Sequence, residues 1–258
     1  MAKIDLATLV SKDTLERVLS RGAEPDLVTT TVVRGIELRF HTHSQRQLWQ
    51  AVGHEHIEPE LLDFIDAMPA GSVYYDIGAS NGIFACYAAA KGLNVFAFEP
   101  EAQNYALLDR NNFLNNGAIN CFNLALSDKQ ELGKLYSAKF EAAGHMKILD
   151  QPRYVGGGDF EPEYVSTVLK YPLAKWIADF KAPQPEYVKI DVDGAEFDVL
   201  RGAEAALRNA RAIFIELCEA TPETVSILKF IEDLGFALRR KVPVQHYDDL
   251  FNCIFEKI

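Results

Sequence analysis

The sequence predicts an α/β fold: a mostly parallel sheet of seven strands with its last strand antiparallel, preceded by an N-terminal α+β cap. Three observations carry this prediction. From residue 73 onward, short β-branched and aromatic runs alternate with helical patterns. The first two of these runs bracket a glycine-bearing turn, Asp76-Ile77-Gly78-Ala79-Ser80-Asn81-Gly82, in the manner of a Rossmann-like βαβ unit. No helical pattern separates the last two strands, so they are expected to pair antiparallel rather than through a crossover.

The cap comes first. Residues 3–20 carry Leu6, Leu9, Val10, Leu15, Val18 and Leu19 at helical spacing. Residues 29–33 and 36–40 flank Arg34-Gly35 and predict a β-hairpin. Residues 58–68 predict a helix with Leu61, Leu62, Ile65 and Met68 on one face. Pro69-Ala70-Gly71 then breaks the chain and divides a cap, residues 1–70, from a core domain, residues 71–258. In the core, strands are expected over 73–77, 95–98, 119–124, 187–191, 212–217, 236–241 and 251–256. Helices are expected over 83–91 and 101–114, the second stopped by Asn115-Asn116-Gly117. Two more fall between strands four and five and between strands five and six. Residues 128–169 interrupt the alternation with Lys134–Ser137, Gly156-Gly157-Gly158 and Val165–Leu169, which predicts an inserted hairpin with a mobile connection. The sequence contains no internal repeat or low-complexity tract.

A chain of 258 residues can bury one sizeable core. Its 48% hydrophobic and 24% charged content is that of a soluble globular protein. The net charge of −11 is a poor match for nucleic-acid backbones and for anionic membrane surfaces. It points to a small-molecule partner, with no nucleic acid and no membrane insertion. Met1-Ala-Lys-Ile-Asp-Leu6 lacks the apolar region of a signal peptide, and no apolar run is long enough to span a bilayer. Cys86, Cys121, Cys218 and Cys253 are far apart, without a C-x-x-C pair. They read as buried free thiols in a reducing compartment, and a cytoplasmic location is expected.

The candidate site starts at the turn. Gly78 lets the chain leave the strand tightly, and Gly82 lets the next helix start close to a ligand. Glu99, 23 residues beyond Asp76, ends the second strand and can accept hydrogen bonds from both hydroxyls of a ribose. A dinucleotide fingerprint needs glycine at the third and sixth positions counted from Gly78, where Ser80 and Ile83 stand. An acid at Asp76 would repel a pyrophosphate and suits a cation, such as the sulfonium and ammonium of S-adenosylmethionine. Ser80 and Asn81 in the turn, Pro100 and Asn104 beyond Glu99, and Ala125-Leu126 before Ser127-Asp128 complete the expected cofactor lining.

Asp191 ends strand four and flanks the same crevice as Asp76 if those strands are neighbours. Asp191, Asp193 and Glu196 place three carboxylates within six residues. Asp191 or Glu196 is a candidate to act on a substrate hydroxyl, and Asp193-Gly194-Ala195-Glu196 also has the pattern of a capping box. No histidine is spaced to complete a metal site with these acids, and no metal is expected. His41, His43, His54 and His56 read as polar residues of a cap loop rather than metal ligands. His145 in the insertion and His246 before the last strand are general-base candidates if they enter the crevice. Glu216, after strand five, points to the same edge.

At these residues the chain resembles the FkbM-type family of S-adenosylmethionine-dependent methyltransferases. The resemblance rests on Asp76-Ile-Gly78-Ala79-Ser-Asn-Gly82, Ala97-Phe98-Glu99-Pro100, Asn111-Asn-Phe-Leu-Asn115, Ala125-Leu126-Ser127-Asp128, Lys189-Ile-Asp191-Val-Asp193-Gly194-Ala-Glu196 and Val199-Leu200-Arg-Gly202-Ala203. Ile57-Glu58-Pro59-Glu60 is similar to the helix that leads into the family's core. The pieces cover about residues 72–217; each is weak alone, and the set is specific. The resemblance implies a seven-stranded class I methyltransferase fold and methyl transfer from S-adenosylmethionine to a hydroxyl of a sugar or natural product. It implies that Glu99 binds the ribose and that Asp76, Gly78, Ala79 and Gly82 line the methionine end. The chain departs from the family at Ser80, where asparagine is usual, at Asp193, where glutamate is common, and at Tyr171-Pro172-Leu173, where an acidic Leu-Asp pair is usual.

Two other function classes fit parts of this pattern. One is a nicotinamide-dependent oxidoreductase, against which the glycine spacing argues. The other is a non-catalytic S-adenosylmethionine-binding scaffold. Methylation of a nucleic-acid base is disfavoured by charge and by the absence of a Pro-Pro-aromatic platform after strand four.

Overall fold

The computed structural model describes residues 27–144, 146–244, 247 and 249–258. The helix expected over residues 3–20 lies outside these residues, as do His145 and His246.

Val28–Val33 (β1) and Ile36–His41 (β2) pair antiparallel across Arg34-Gly35, whose φ angles of 47° and 82° suit a two-residue hairpin turn. Gln45–Ile57 (α1) and Pro59–Asp66 (α2) follow. The first of these helices corrects the loop expected around the histidines. Ser44 Oγ accepts from Gln47 N and starts α1, whose buried residues are Gln47, Ala51 and His54. That face has no apolar stripe, so hydrophobic periodicity does not mark it.

The core alternates as expected: Val73–Ile77 (β3), Ile83–Ala90 (α3), Asn94–Phe98 (β4), Ala102–Leu114 (α4) and Ile119–Phe122 (β5). After an insertion it resumes with Leu173–Phe180 (α5), Tyr187–Ile190 (β10), Glu196–Leu207 (α6), Ala212–Cys218 (β11), Glu223–Asp233 (α7), Phe236–Pro243 (β12) and Leu250–Lys257 (β13). Helix α5 is an addition to the expected elements. It buries Leu173, Trp176 and Ile177, an i, i+3, i+4 set.

The seven strands lie in the order β12-β13-β11-β10-β3-β4-β5. The last strand in sequence is antiparallel to both neighbours and is threaded between β11 and β12. The other sheet pairings are parallel. Both faces are apolar, as a covered parallel sheet requires. Tyr74, Val95, Ala97 and Phe214 join the cluster formed with α2, α3 and the hairpin residues Val33, Leu38 and Phe40. Tyr75, Ile77, Phe96, Phe98, Val188 and Ile190 join the cluster formed with Trp176, Leu200 and Ile231 on the other side. The hairpin and α2 thus share one hydrophobic cluster with the sheet.

The insertion is larger than a hairpin. Ala125–Leu126 (β6), Glu131–Ser137 (β7), Lys147–Leu149 (β8) and Tyr164–Tyr171 (β9) form a separate four-stranded sheet in the order β6-β9-β7-β8. Ala125 and Leu126 therefore open this second sheet rather than close the third core strand. Helix α6 packs so closely on its lead-out that a methyl group at Gly202 would overlap the Ser127 carbonyl. Among the described residues no helix is long and apolar enough to cross a membrane.

Candidate active site

The chain runs outward from β3 to β4 and β5 in one direction and from β10 to β11 in the other. The carboxyl ends of β3 and β10 therefore meet where strand order reverses, the place where open α/β sheets bind ligands. Asp76 pairs in register with Lys189, and Asp191 N donates to Ile77 O at 3.1 Å. The expected proximity of Asp76 and Asp191 is thus realised.

The turn after β3 is held from both sides. Gly78 N and Ala79 N donate to Phe98 O at 2.9 and 3.0 Å. Gly78 has φ 82°, and a methyl group there would overlap the Asp191 carbonyl, so glycine is needed for conformation and for space. Ser80 takes φ 50° and its N donates to Glu99 Oε2 at 2.8 Å. The other carboxylate oxygen of Glu99 accepts from Glu101 N at 2.9 Å. Each of these oxygens keeps a further lone pair for a ligand hydroxyl. Glu99 is 5% exposed, and burial raises its pKa to about 7 against the pull of those two N–H donors.

The acids crowd together on the β10 side. Asp76 is fully buried, and burial pushes its pKa up while the Lys189 ammonium opposes the shift. Lys189 Nζ lies 3.1 Å from Asp76 Oδ1 and 3.3 Å from Asp191 Oδ2. The first approach is an ion pair without hydrogen-bond alignment, and no donor among the described residues reaches Asp76 Oδ1. Asp193 and Glu196 are half-buried, with pKa values raised by burial to about 6 and about 7. Burial and the neighbouring acids also raise Glu58 and Glu216.

The expected capping box is not formed. Ala195 is the N-cap of α6 and gives no side-chain cap; Glu196 Oε1 accepts from Gly194 N at 2.9 Å. Asp193, in a left-handed conformation, turns instead to the insertion and accepts from Lys147 N at 3.1 Å. It is one anchor of a strap, residues 138–144 and 146–147, that joins β7 to β8. Lys147 Nζ reaches Glu101 Oε2 (2.8 Å), Asn104 Oδ1 (3.2 Å) and Glu141 O (2.9 Å). Ala143 N donates to Asn104 Oδ1 at 2.7 Å, and Ala143 O accepts from Arg46 Nε at 2.6 Å and Gln50 Nε2 at 3.3 Å. Asn81 Nδ2 completes the bracing by donating to Gln50 Oε1 at 2.9 Å.

Of the sequence-derived site residues, the fold gathers Asp76, Gly78, Ala79, Ser80, Gly82, Glu99, Pro100, Asp191 and Glu196 around the switch point. Asn81 and Asn104 are there too, but their side chains brace the cap helix and the strap. Ala125 and Leu126 are 4% exposed and pack into the hydrophobic clusters. His145 lies outside the described residues. His54 is enclosed by Phe40, Phe84 and Tyr87, and burial lowers its pKa to about 4. It is a neutral core residue. Lys147, Arg46 and Gln50 escaped the sequence reading. The pattern Ser44-x-x-Gln47 was the signal that could have revealed the helix carrying the last two.

A buried acid whose Oδ1 has an ion-pair partner but no aligned hydrogen bond, a second acid placed for a ribose, and a turn too acidic for pyrophosphate together fit the cation and ribose of S-adenosylmethionine. The comparisons agree. The profile of the Methyltransferase FkbM domain matches residues 76–238. Hexuronic acid methyltransferase AglP of Haloferax volcanii is 24% identical over 185 residues, covering 72% of this chain and 72% of that protein. Methyltransferase sdnD of Sordaria araneosa is 28% identical over 202 residues, covering 67% of this chain and 76% of that protein. The chain belongs to the FkbM methyltransferase family and is an S-adenosylmethionine-dependent methyltransferase.

Proposed function

We propose that the protein transfers a methyl group to a hydroxyl oxygen of a sugar or sugar-like natural product. The observation that carries this reading is that Glu99 at the end of β4 and the half-exposed Asp191 and Glu196 after β10 flank the carboxyl end of β3, the switch point. When bound, the cofactor supplies a methyl group already activated by its sulfonium, so the protein's task is alignment and proton removal. Glu99 accepts the ribose hydroxyls, and Asp76 faces the positive end. Glu196, with its pKa raised to about 7, matches a general base working near neutral pH. Asp191, paired with Lys189, stays beside it to orient the acceptor. The name of the relative AglP supports a sugar acceptor. The acidic net charge supports a small molecule rather than a nucleic acid. Four free cysteines support a reducing, cytoplasmic setting.

The test is turnover with a panel of methyl glycosides, read by transfer of labelled methyl. Glu196→Gln should lower kcat by about 10²–10⁴-fold, the range of a lost general base, with cofactor affinity within a few-fold of wild type. Asp191→Asn should also lower turnover while cofactor binding stays measurable. Wild-type turnover in both variants would overturn the assignment.

A further inference from the structure

Lys189 interrupts the apolar run Tyr187-Val188-Lys189-Ile190 at the centre of the sheet. It is 3% exposed. Burying an ammonium without partners costs several kcal/mol, so its surroundings must repay it. Its Nζ donates to Gly78 O at 2.9 Å and lies 3.1 Å from Asp76 Oδ1 and 3.3 Å from Asp191 Oδ2. Three oxygens thus surround a group with three protons. They come from three functionally distinct places: the backbone of the cofactor turn, the acid inside that turn, and the acid on the acceptor side.

We propose that Lys189 is a positioning residue that ties the cofactor turn to the acceptor-side carboxylate and sets the charge presented by Asp76. The groups facing it define the electrostatic problem. Asp76 from β3, Asp191 from the end of β10 and Glu58 from the residue before α2 act on it directly; the Tyr74 hydroxyl and Glu216 border those acids in turn, and Asp193 and Glu196 border Glu216. Burial drives Asp76 and Glu58 toward their neutral forms, and Lys189 acts in the opposite sense on both. Without it, Asp76 would be pushed further toward its neutral form and would attract a cation less. Lys189 does not touch the reacting atoms. It acts through Gly78, Asp76 and Asp191, so the inference rests on the roles given to those residues above.

The test reads cofactor binding, which does not depend on the identity of the acceptor. S-adenosylmethionine affinity is measured by calorimetry at pH 6 and pH 8.5 for wild type, Lys189→Met and Lys189→Arg. An opposite charge at this distance shifts an acid by about one pKa unit or more. Lys189→Met should therefore bind about tenfold or more weakly than wild type at pH 6, and the ratio should shrink at least about threefold by pH 8.5. Lys189→Arg keeps the charge and should show the wild-type pH dependence. A ratio that is flat with pH, or Lys189→Arg behaving like Lys189→Met, would reduce Lys189 to packing and overturn the proposal. If Lys189→Met does not fold, Lys189→Gln, which keeps N–H donors without the charge, is compared with wild type at the same two pH values. The same pH-dependent ratio between those two supports the proposal, and its absence overturns it.

Discussion

Glu99 shows what a single buried carboxylate contributes. Its two oxygens each accept one backbone N–H, from Ser80 and Glu101, so the group fixes the turn before it meets a ligand. Glu99→Gln sets an amide N–H against one of those donors and removes the charge. Leaving a buried polar group unmatched costs about 1–3 kcal/mol. Cofactor affinity measured by calorimetry should therefore drop by about 10–100-fold, and an unchanged affinity would remove the ribose role. The residues of this turn were legible in the sequence because a strand, a glycine turn and a strand-end acid are local patterns. Asp191 was legible for the same reason. Lys147 was not, because its partners Glu101 and Asn104 are more than 40 positions away and nothing in its neighbourhood marks it. Lys189 was visible inside a motif, but its role depends on the β3–β10 register, which spacing alone does not give.

At the scale of elements, the insertion that carries the strap is the part of the molecule that the sequence least revealed. Residues 128–169 read as a hairpin because their strands are short and separated by a glycine-rich loop; pairing of β6 with β9 makes a four-stranded sheet. Helix α1 was missed for want of an apolar stripe. Helix α5 carries such a stripe in Leu173, Trp176 and Ile177 but spans only two turns after the insertion, where the alternation had already been lost. The strap is held chiefly by the buried Lys147–Glu101 pair and the two bonds to Asn104. Lys147→Met leaves Glu101 buried without its ammonium. Breaking a charged hydrogen bond of this kind costs about 1.5–3 kcal/mol, so amide exchange at Ala143 should speed up about tenfold or more. Exchange at the wild-type rate would show that Asp193, Arg46 and Gln50 hold the strap unaided.

For the whole molecule, the crowded acids set the pH dependence of stability. Asp193 at about 6, and Glu99 and Glu196 at about 7, hold protons in the folded chain at pH values where the unfolded chain has released them. Their contribution is therefore fully present below about pH 4 and is lost as pH rises from there through about 7. His54 works in the other direction: its folded pKa of about 4 lies below the unfolded value, so stability is lost as pH falls from about 6.5 toward 4. The cofactor-free protein should have its highest Tm below about pH 5, with Tm falling between about pH 5 and pH 7.5 in scanning calorimetry. A Tm that rises over that interval would mean the acids are ionised in the folded state.

The threading of β13 between β11 and β12 has a consequence for synthesis on the ribosome. Strands β3, β4, β5, β10 and β11 find at least one sheet neighbour among residues already made. Strand β12 has none, because its sheet partner is the strand that follows it in sequence. While residues 250–257 are still inside the exit tunnel, β12 and the outer edge of β11 both present unpaired backbone. The emerging chain therefore carries two open edges whose mutual pairing would be the wrong sheet. Correct assembly requires that β11 and β12 stay apart long enough for the next strand to enter between them.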